Sequence, residues 1–166
     1  MTSAPIYFTY YPSPIGKLRL RTTDSGLIAV DHTNQQAEAL HAINNPNHPH
    51  IQQATAELNE YFQKQRTSFN VPLSPQGTAF QLQVWQALST IPYGETKSYS
   101  DIATTINRPK AVRAVGLANG KNPLSIFIPC HRVIGKNQTL TGYAGGLKNK
   151  QYLLQLEQNQ AELFTS

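Results

Sequence analysis

The sequence predicts an α+β protein, with a small amino-terminal α/β domain over residues 1–74 and a mainly helical domain over residues 75–166 that contains a helix-turn-helix. Three observations predict it. Residues 6–31 carry strand-type alternation between turn residues. Residues 71–77 place two prolines and a glycine within seven positions. Beyond that break the apolar residues recur at helical spacing, and two short helical stretches flank Asn107-Arg108-Pro109.

Taken in order, Lys17-Leu18-Arg19-Leu20-Arg21 alternates strictly between Gly16 and the turn residues Asp24-Ser25-Gly26. Leu27-Ile28-Ala29-Val30 then reads as a buried strand, giving an antiparallel meander. Residues 34–43 predict a brief helix, residues 44–50 a loop, and residues 51–64 a helix with Leu58, Tyr61 and Phe62 on one side. His48 and His50 lie in that loop with no cysteine or sequence-adjacent carboxylate, so no metal site is expected there. This half reads as scaffold.

After the break, Thr78 is placed to cap a helix carrying Phe80, Val84, Trp85 and Leu88 on a core-facing stripe, ending near Ile91-Pro92-Tyr93-Gly94. Ser98 or Ser100 caps a second helix over about residues 99–106, and a third runs over about residues 110–118 to Asn119-Gly120. This pair has the outline of a helix-turn-helix whose second helix carries Lys110 and Arg113. Ala111, Ala114 and Ala118 share a stripe on that helix. Side chains so short suit close approach to a minor groove, where readout is degenerate.

Residues 124–128 predict a buried strand that delivers the only cysteine, Cys130, past Pro129 and into His131 and Arg132. Free amides at such an exit, with His131 and Arg132 beside it, would favour the thiolate. A lone cysteine is also often just a small buried hydrophobe. Gly135, Gly142, Gly145 and Gly146 then surround Tyr143 in a glycine-rich loop. The last helix, about residues 147–158, sets Glu157 on the face of Leu153 and Leu154, where a carboxylate needs a partner; His131 is the candidate.

Composition narrows the function classes. One cysteine excludes an internal disulfide, and no apolar run approaches the roughly 20 residues of a membrane span. Met1-Thr2-Ser3-Ala4-Pro5 lacks the basic-then-apolar pattern of a leader, so a soluble cytoplasmic protein without membrane contact is expected. From Lys97 to Lys150 nine basic residues face Asp101 alone, a net +8, against −3 for the rest of a chain whose total is +5. One basic half suits a polyanion docking on the second domain.

These residues together resemble the O6-alkylguanine-DNA alkyltransferases over about residues 75–160. The markers are Tyr93-Gly94-Glu95 with Ser98-Tyr99, Arg113-Ala114-Val115-Gly116, Asn122-Pro123, Ile128-Pro129-Cys130-His131-Arg132-Val133, and Gly142-Tyr143-Ala144-Gly145-Gly146 leading to Glu157. The resemblance implies a ribonuclease-H-like amino-terminal domain and stoichiometric, single-turnover transfer of an alkyl group from O6-alkylguanine in double-stranded DNA to Cys130. It implies His131 as a base acting through water, Glu157 orienting it, Tyr99 beside a flipped base, and Arg113 filling the vacated place in the duplex. Asn122 would hold the turn that carries the nucleophile. Lys110, Ala114, Tyr143 and Ala144 complete the expected DNA contacts. Ala144 stands where better-known animal members have serine, so backbone would supply one hydrogen bond to the base. The metal ligands some relatives carry near the amino terminus are missing here, and neither metal nor cofactor is expected. A monomer is expected. A related non-catalytic group has tryptophan in place of the cysteine, against which Cys130 argues. The alternatives are a helix-turn-helix protein that binds lesions without reacting, and a cysteine hydrolase.

Overall fold

The computed structural model describes residues 4–32, 41–136, 141–143 and 145–165, with side chains in the last helix described as far as Gln158. The architecture is α+β, in two compact units, Met1–Gln76 and Gly77–Ser166.

The first unit is a four-stranded sheet with one helix. Strands β1 (Tyr7–Ser13), β2 (Gly16–Thr23) and β3 (Gly26–His32) form the predicted meander, and β4 (Ile43–Asn44) pairs in parallel with β1. The sheet order is β3-β2-β1-β4. Alternation sends Tyr11, Leu18, Leu20 and Val30 into the core with Ile51, Ala54, Leu58 and Tyr61 of α1 (Pro49–Phe62), and the Tyr11 hydroxyl donates to Asn59 Oδ1 at 2.6 Å. Two expectations change. Of the helix predicted over residues 34–43, residues 34–40 lie outside the described residues, and Ile43 is in β4 because its N–H donates to the Ile6 carbonyl at 2.8 Å. The boundary segment is irregular except for one parallel bridge from Leu73 to Leu27. A side chain at Gly26 would meet the Pro72 carbonyl oxygen at 2.8 Å, so glycine is what lets that segment lie against β3.

The fold also supplies what the sequence around the loop histidines lacked. The β2–β3 turn brings Asp24 Oδ1 to His48 Nε2 at 2.9 Å, while His48 Nδ1 accepts from the His50 N–H and caps α1. The pair is thus structural. A second polar group ties β2 to β3: Arg19, 1% exposed, and Arg21 both donate to Asp31.

The second unit holds α2 (Ala79–Leu88), α3 (Tyr99–Thr105), α4 (Val112–Gly120) and α5 (Leu147–Thr165), with β5 (Lys97–Ser98) pairing in parallel with β6 (Val133–Ile134). Thr78 with Gln81 and Ser98 with Asp101 form reciprocal caps that start α2 and α3. Asn107, at φ 60°, takes the left-handed conformation that breaks the chain between α3 and α4. Helix α4 begins two residues later than predicted, since the Ala111 N–H donates to the Arg108 carbonyl and holds the chain around Pro109 in a turn. Trp85 is buried, and its indole N–H donates to the Ala118 carbonyl at 2.8 Å, tying α2 to the end of α4.

The strand predicted over residues 124–128 does not form. The Ile128 N–H instead donates to the Leu124 carbonyl, and Ile126 sits at φ 78°. A β-branched residue held there stores strain on the order of 1–3 kcal/mol. Asn122 closes the turn: its Nδ2 donates to the Ile128 carbonyl at 2.8 Å and its Oδ1 accepts from the Leu124 N–H at 3.0 Å. Apolar content alone cannot distinguish such a buried turn from a strand.

Candidate active site

Cys130 opens a 3-10 turn, Cys130–Arg132, set up by Pro129, whose carbonyl accepts the Arg132 N–H at 3.0 Å. The thiol is 4% exposed, and its surroundings are polar. Burial pushes the Cys130 thiol up, while a hydrogen bond from the Asn122 side chain, the charge of Lys150, the residue's own backbone N–H and the Ser125 hydroxyl pull it down. The net direction is upward, contrary to the thiolate expected from sequence. The cause is burial, and the Arg132 guanidinium is engaged elsewhere, giving Nε and Nη2 to Glu157 and Nη1 to the Ile91 carbonyl.

Glu157 is the hub of this buried group. It is 1% exposed and faces both His131 Nε2, at 2.7 Å, and Arg132 Nε, at 2.8 Å. Burial would push the Glu157 carboxyl up, but His131 and Arg132 more than offset this and hold it down at about 2. An ionised carboxylate only accepts, so His131 Nε2 carries the proton. Nδ1, the ring's other nitrogen, is buried and has no protein partner among the described residues. That is the arrangement of a base whose tautomer is fixed from behind.

Tyr143 is 9% exposed; burial, then the neighbouring Cys130 and Glu157, push its phenol up, against a hydrogen bond with Ser125. It therefore lies beside the sulfur and stays protonated. Tyr99, at the start of α3, shares a hydrogen bond of 2.7 Å with the Thr141 hydroxyl, and a Cβ placed on Gly116 of α4 would sit 3.9 Å from its ring. The Tyr99 ring thus packs against α4 at Gly116, with room there for an ordinary van der Waals contact. Ala144 lies outside the described residues.

On α4 the exposed positions are Arg113, Ala114, Leu117 and Gly120, followed by Lys121, a stripe with a cation at each end. Lys110 is exposed in the preceding turn. Of the nine basic residues between Lys97 and Lys150, Arg132 and Lys150 point inward, so the exposed basic surface is smaller than the sequence count suggests. Four contributors escaped the sequence reading: Arg132 as a Glu157 partner, Ser125, Thr141 and Lys150. Lys150 was detectable, because it stands seven residues before Glu157 on the same face of α5 as Leu153 and Leu154. Among the described residues no three His, Cys, Asp or Glu side chains converge as a metal site would require.

Comparison with known proteins gives a concordant picture. The model of the 6-O-methylguanine DNA methyltransferase ribonuclease-like domain matches residues 6–75, and that of the DNA binding domain of the same family matches residues 79–159. A methylated-DNA--protein-cysteine methyltransferase of Haemophilus influenzae is 47% identical over 158 residues, covering 92% of this chain and 86% of the relative. The crystal structure of the Mycobacterium tuberculosis O6-methylguanine methyltransferase superposes with a TM-score of 0.87 at 44% identity, covering 96% of this chain and 99% of that one. The Mycobacterium tuberculosis OGT in complex with DNA superposes with a TM-score of 0.86 at 46% identity, covering 93% and 94%.

Proposed function

The chain belongs to the 6-O-methylguanine DNA methyltransferase family, and from that premise we propose that it repairs DNA by moving the alkyl group of an O6-alkylguanine onto Cys130. The observation that carries the assignment is the sulfur's setting: a buried thiol among Asn122, Ser125, Tyr143 and Lys150, next to an imidazole whose tautomer Glu157 fixes. A cysteine serving only as a hydrophobe has no use for these partners.

The step is an in-line displacement. The sulfur forms a bond to the alkyl carbon, the carbon–O6 bond breaks, and guanine leaves with the electron pair. The thiol proton passes through a water to His131 Nδ1, and the Tyr99 phenol donates toward the departing base. Because burial raises the thiol, the free protein holds it protonated, and ionisation belongs to the loaded complex. Ionisation is not a large term in any case, since a free cysteine at neutral pH is already a few per cent thiolate and full conversion supplies about 2 kcal/mol. Orientation of the extruded base against the sulfur supplies roughly 7–11 kcal/mol. Extrusion costs a few kcal/mol; Arg113 in the vacated place and cation–phosphate contacts along α4 offset it. The product thioether is a poor leaving group and the sequence has no second cysteine to resolve it, so each molecule acts once.

A helix-turn-helix protein that binds lesions without reacting is the competing reading. Cys130→Ala separates the two: the variant keeps its affinity for a duplex containing O6-methylguanine and removes no methyl groups. Methyl removal by the variant to the wild-type extent overturns the assignment. The minor-groove mode and the flipped base belong to the same proposal, supported by the short exposed residues Ala114 and Gly120 of α4 and the placement of Tyr99 against Gly116, although Ala118 of the expected stripe is buried; a monomeric state is proposed with them.

A further inference from the structure

Lys150, one of the groups around the sulfur, takes no step in the transfer, yet it is fully buried in the first turn of α5. Its Nζ donates to the carbonyls of Val133 and Thr141, both at 2.6 Å, and among the described residues it faces no carboxylate. Two neutral carbonyls compensate a full charge poorly, and packing alone would be served as well by methionine. Burial, opposed by the charge of Cys130, pushes the Lys150 ammonium down to about 8. The other polar groups around the sulfur are already committed: His131 and Arg132 to Glu157, while the Tyr143 phenol is held protonated. The Thr141 whose carbonyl Lys150 holds is the same residue whose hydroxyl meets the Tyr99 phenol.

We propose that Lys150 is a positioning residue for the transfer: it pins Val133 and Thr141, so that Thr141 holds the Tyr99 phenol in register with Cys130, and it keeps an uncompensated cation beside the forming thiolate. Base entry then exchanges one partner of the phenol, the Thr141 hydroxyl, for the purine, without moving the backbone that carries it. The cation acts on the sulfur; the hydroxyl acts on the phenol alone.

The inference rests on the proposed transfer, and the test keeps the two apart. Transfer from free O6-benzylguanine and from a methylated duplex is timed for the wild type, Lys150→Met, Lys150→Arg and Thr141→Val, together with the pH dependence of Cys130 alkylation by iodoacetamide. Lys150→Met slows transfer from both substrates by roughly 10- to 100-fold and moves the alkylation midpoint to higher pH. Lys150→Arg, which keeps the charge and donors, recovers part of the rate. Thr141→Val, which keeps the carbonyl that Lys150 holds and loses the hydroxyl, slows transfer without moving the midpoint, whereas a merely structural lysine would leave the midpoint of Lys150→Met in place as well. Wild-type rates and an unchanged midpoint in Lys150→Met overturn the proposal and leave the transfer intact. Should Lys150→Met fail to fold, Lys150→Gln, which keeps a donor and loses the charge, decides: an alkylation midpoint moved to higher pH supports the proposal, and wild-type rates at an unchanged midpoint overturn it. A wild type that transfers nothing overturns the transfer itself.

Discussion

Each unit of this protein ties a carboxylate to two basic side chains, and the difference that matters is an imidazole in one group where the other has a second guanidinium. In the amino-terminal unit Asp31 receives Arg19 and Arg21. In the carboxy-terminal unit Glu157 receives Arg132 and His131. Both close a charge that would otherwise be stranded. Two guanidiniums have no proton to exchange near neutrality, so the first group is a tie between strands. Replacing one guanidinium by an imidazole turns the same tie into a proton acceptor, and the chain places its only cysteine next to that imidazole.

The largest expected effect tests that contrast. Asp31→Asn and Glu157→Gln each leave a buried guanidinium, Arg19 or Arg132, without its counter-charge, and each lowers unfolding free energy by about 3–5 kcal/mol in denaturant titrations. Only Glu157→Gln slows transfer from free O6-benzylguanine per folded molecule, by roughly 100-fold or more, because the base loses the carboxylate that fixes its tautomer. An equal loss of transfer in Asp31→Asn would erase the distinction between tie and machinery.

Acid sharpens it next. The Glu157 carboxyl is held at about 2 in the folded chain against 4.5 unfolded. Its contribution is therefore complete above the unfolded value and is lost as pH falls toward the folded one. Denaturant titrations at pH 5 and pH 3 should differ by on the order of 2 kcal/mol from this group, and Glu157→Gln should remove that share of the difference.

Sequence and structure agree best where local chemistry and tertiary packing ask for the same thing. The meander, the capped helices α2 and α3 and the break at Asn107 all follow from short-range patterns. The pairing of His131 with Glu157 followed from a carboxylate on an apolar helix face. The failures are nonlocal. Residues 124–128 are as apolar as a strand, but Asn122 folds them into a turn through two hydrogen bonds that no periodicity encodes. The thiol was read as activated by its neighbours in sequence, whereas Arg132 spends its guanidinium on a residue 25 positions away. Lys150 was counted as surface charge, although its spacing from Glu157 places it inside.

Smaller effects test the second unit as the DNA-facing one. Arg113→Ala should slow repair of a duplex roughly tenfold more than reaction with the free base, since only the duplex requires extrusion; equal losses on both would remove Arg113 from that role. Lys121→Ala, at the exposed end of α4, should flatten the log–log salt dependence of duplex affinity by about 0.9. Lys17→Ala, on the sheet of the other unit, should leave that slope unchanged.

In the proposed reaction one sulfur takes one alkyl group and keeps it. Mass analysis of the protein after incubation with excess O6-methylguanine duplex tests it most directly. The prediction is a single methyl on the peptide containing Cys130, with lesion removal stopping at one equivalent of protein. Lesions removed beyond that equivalent, or disappearing with no mass gained at Cys130, would contradict it.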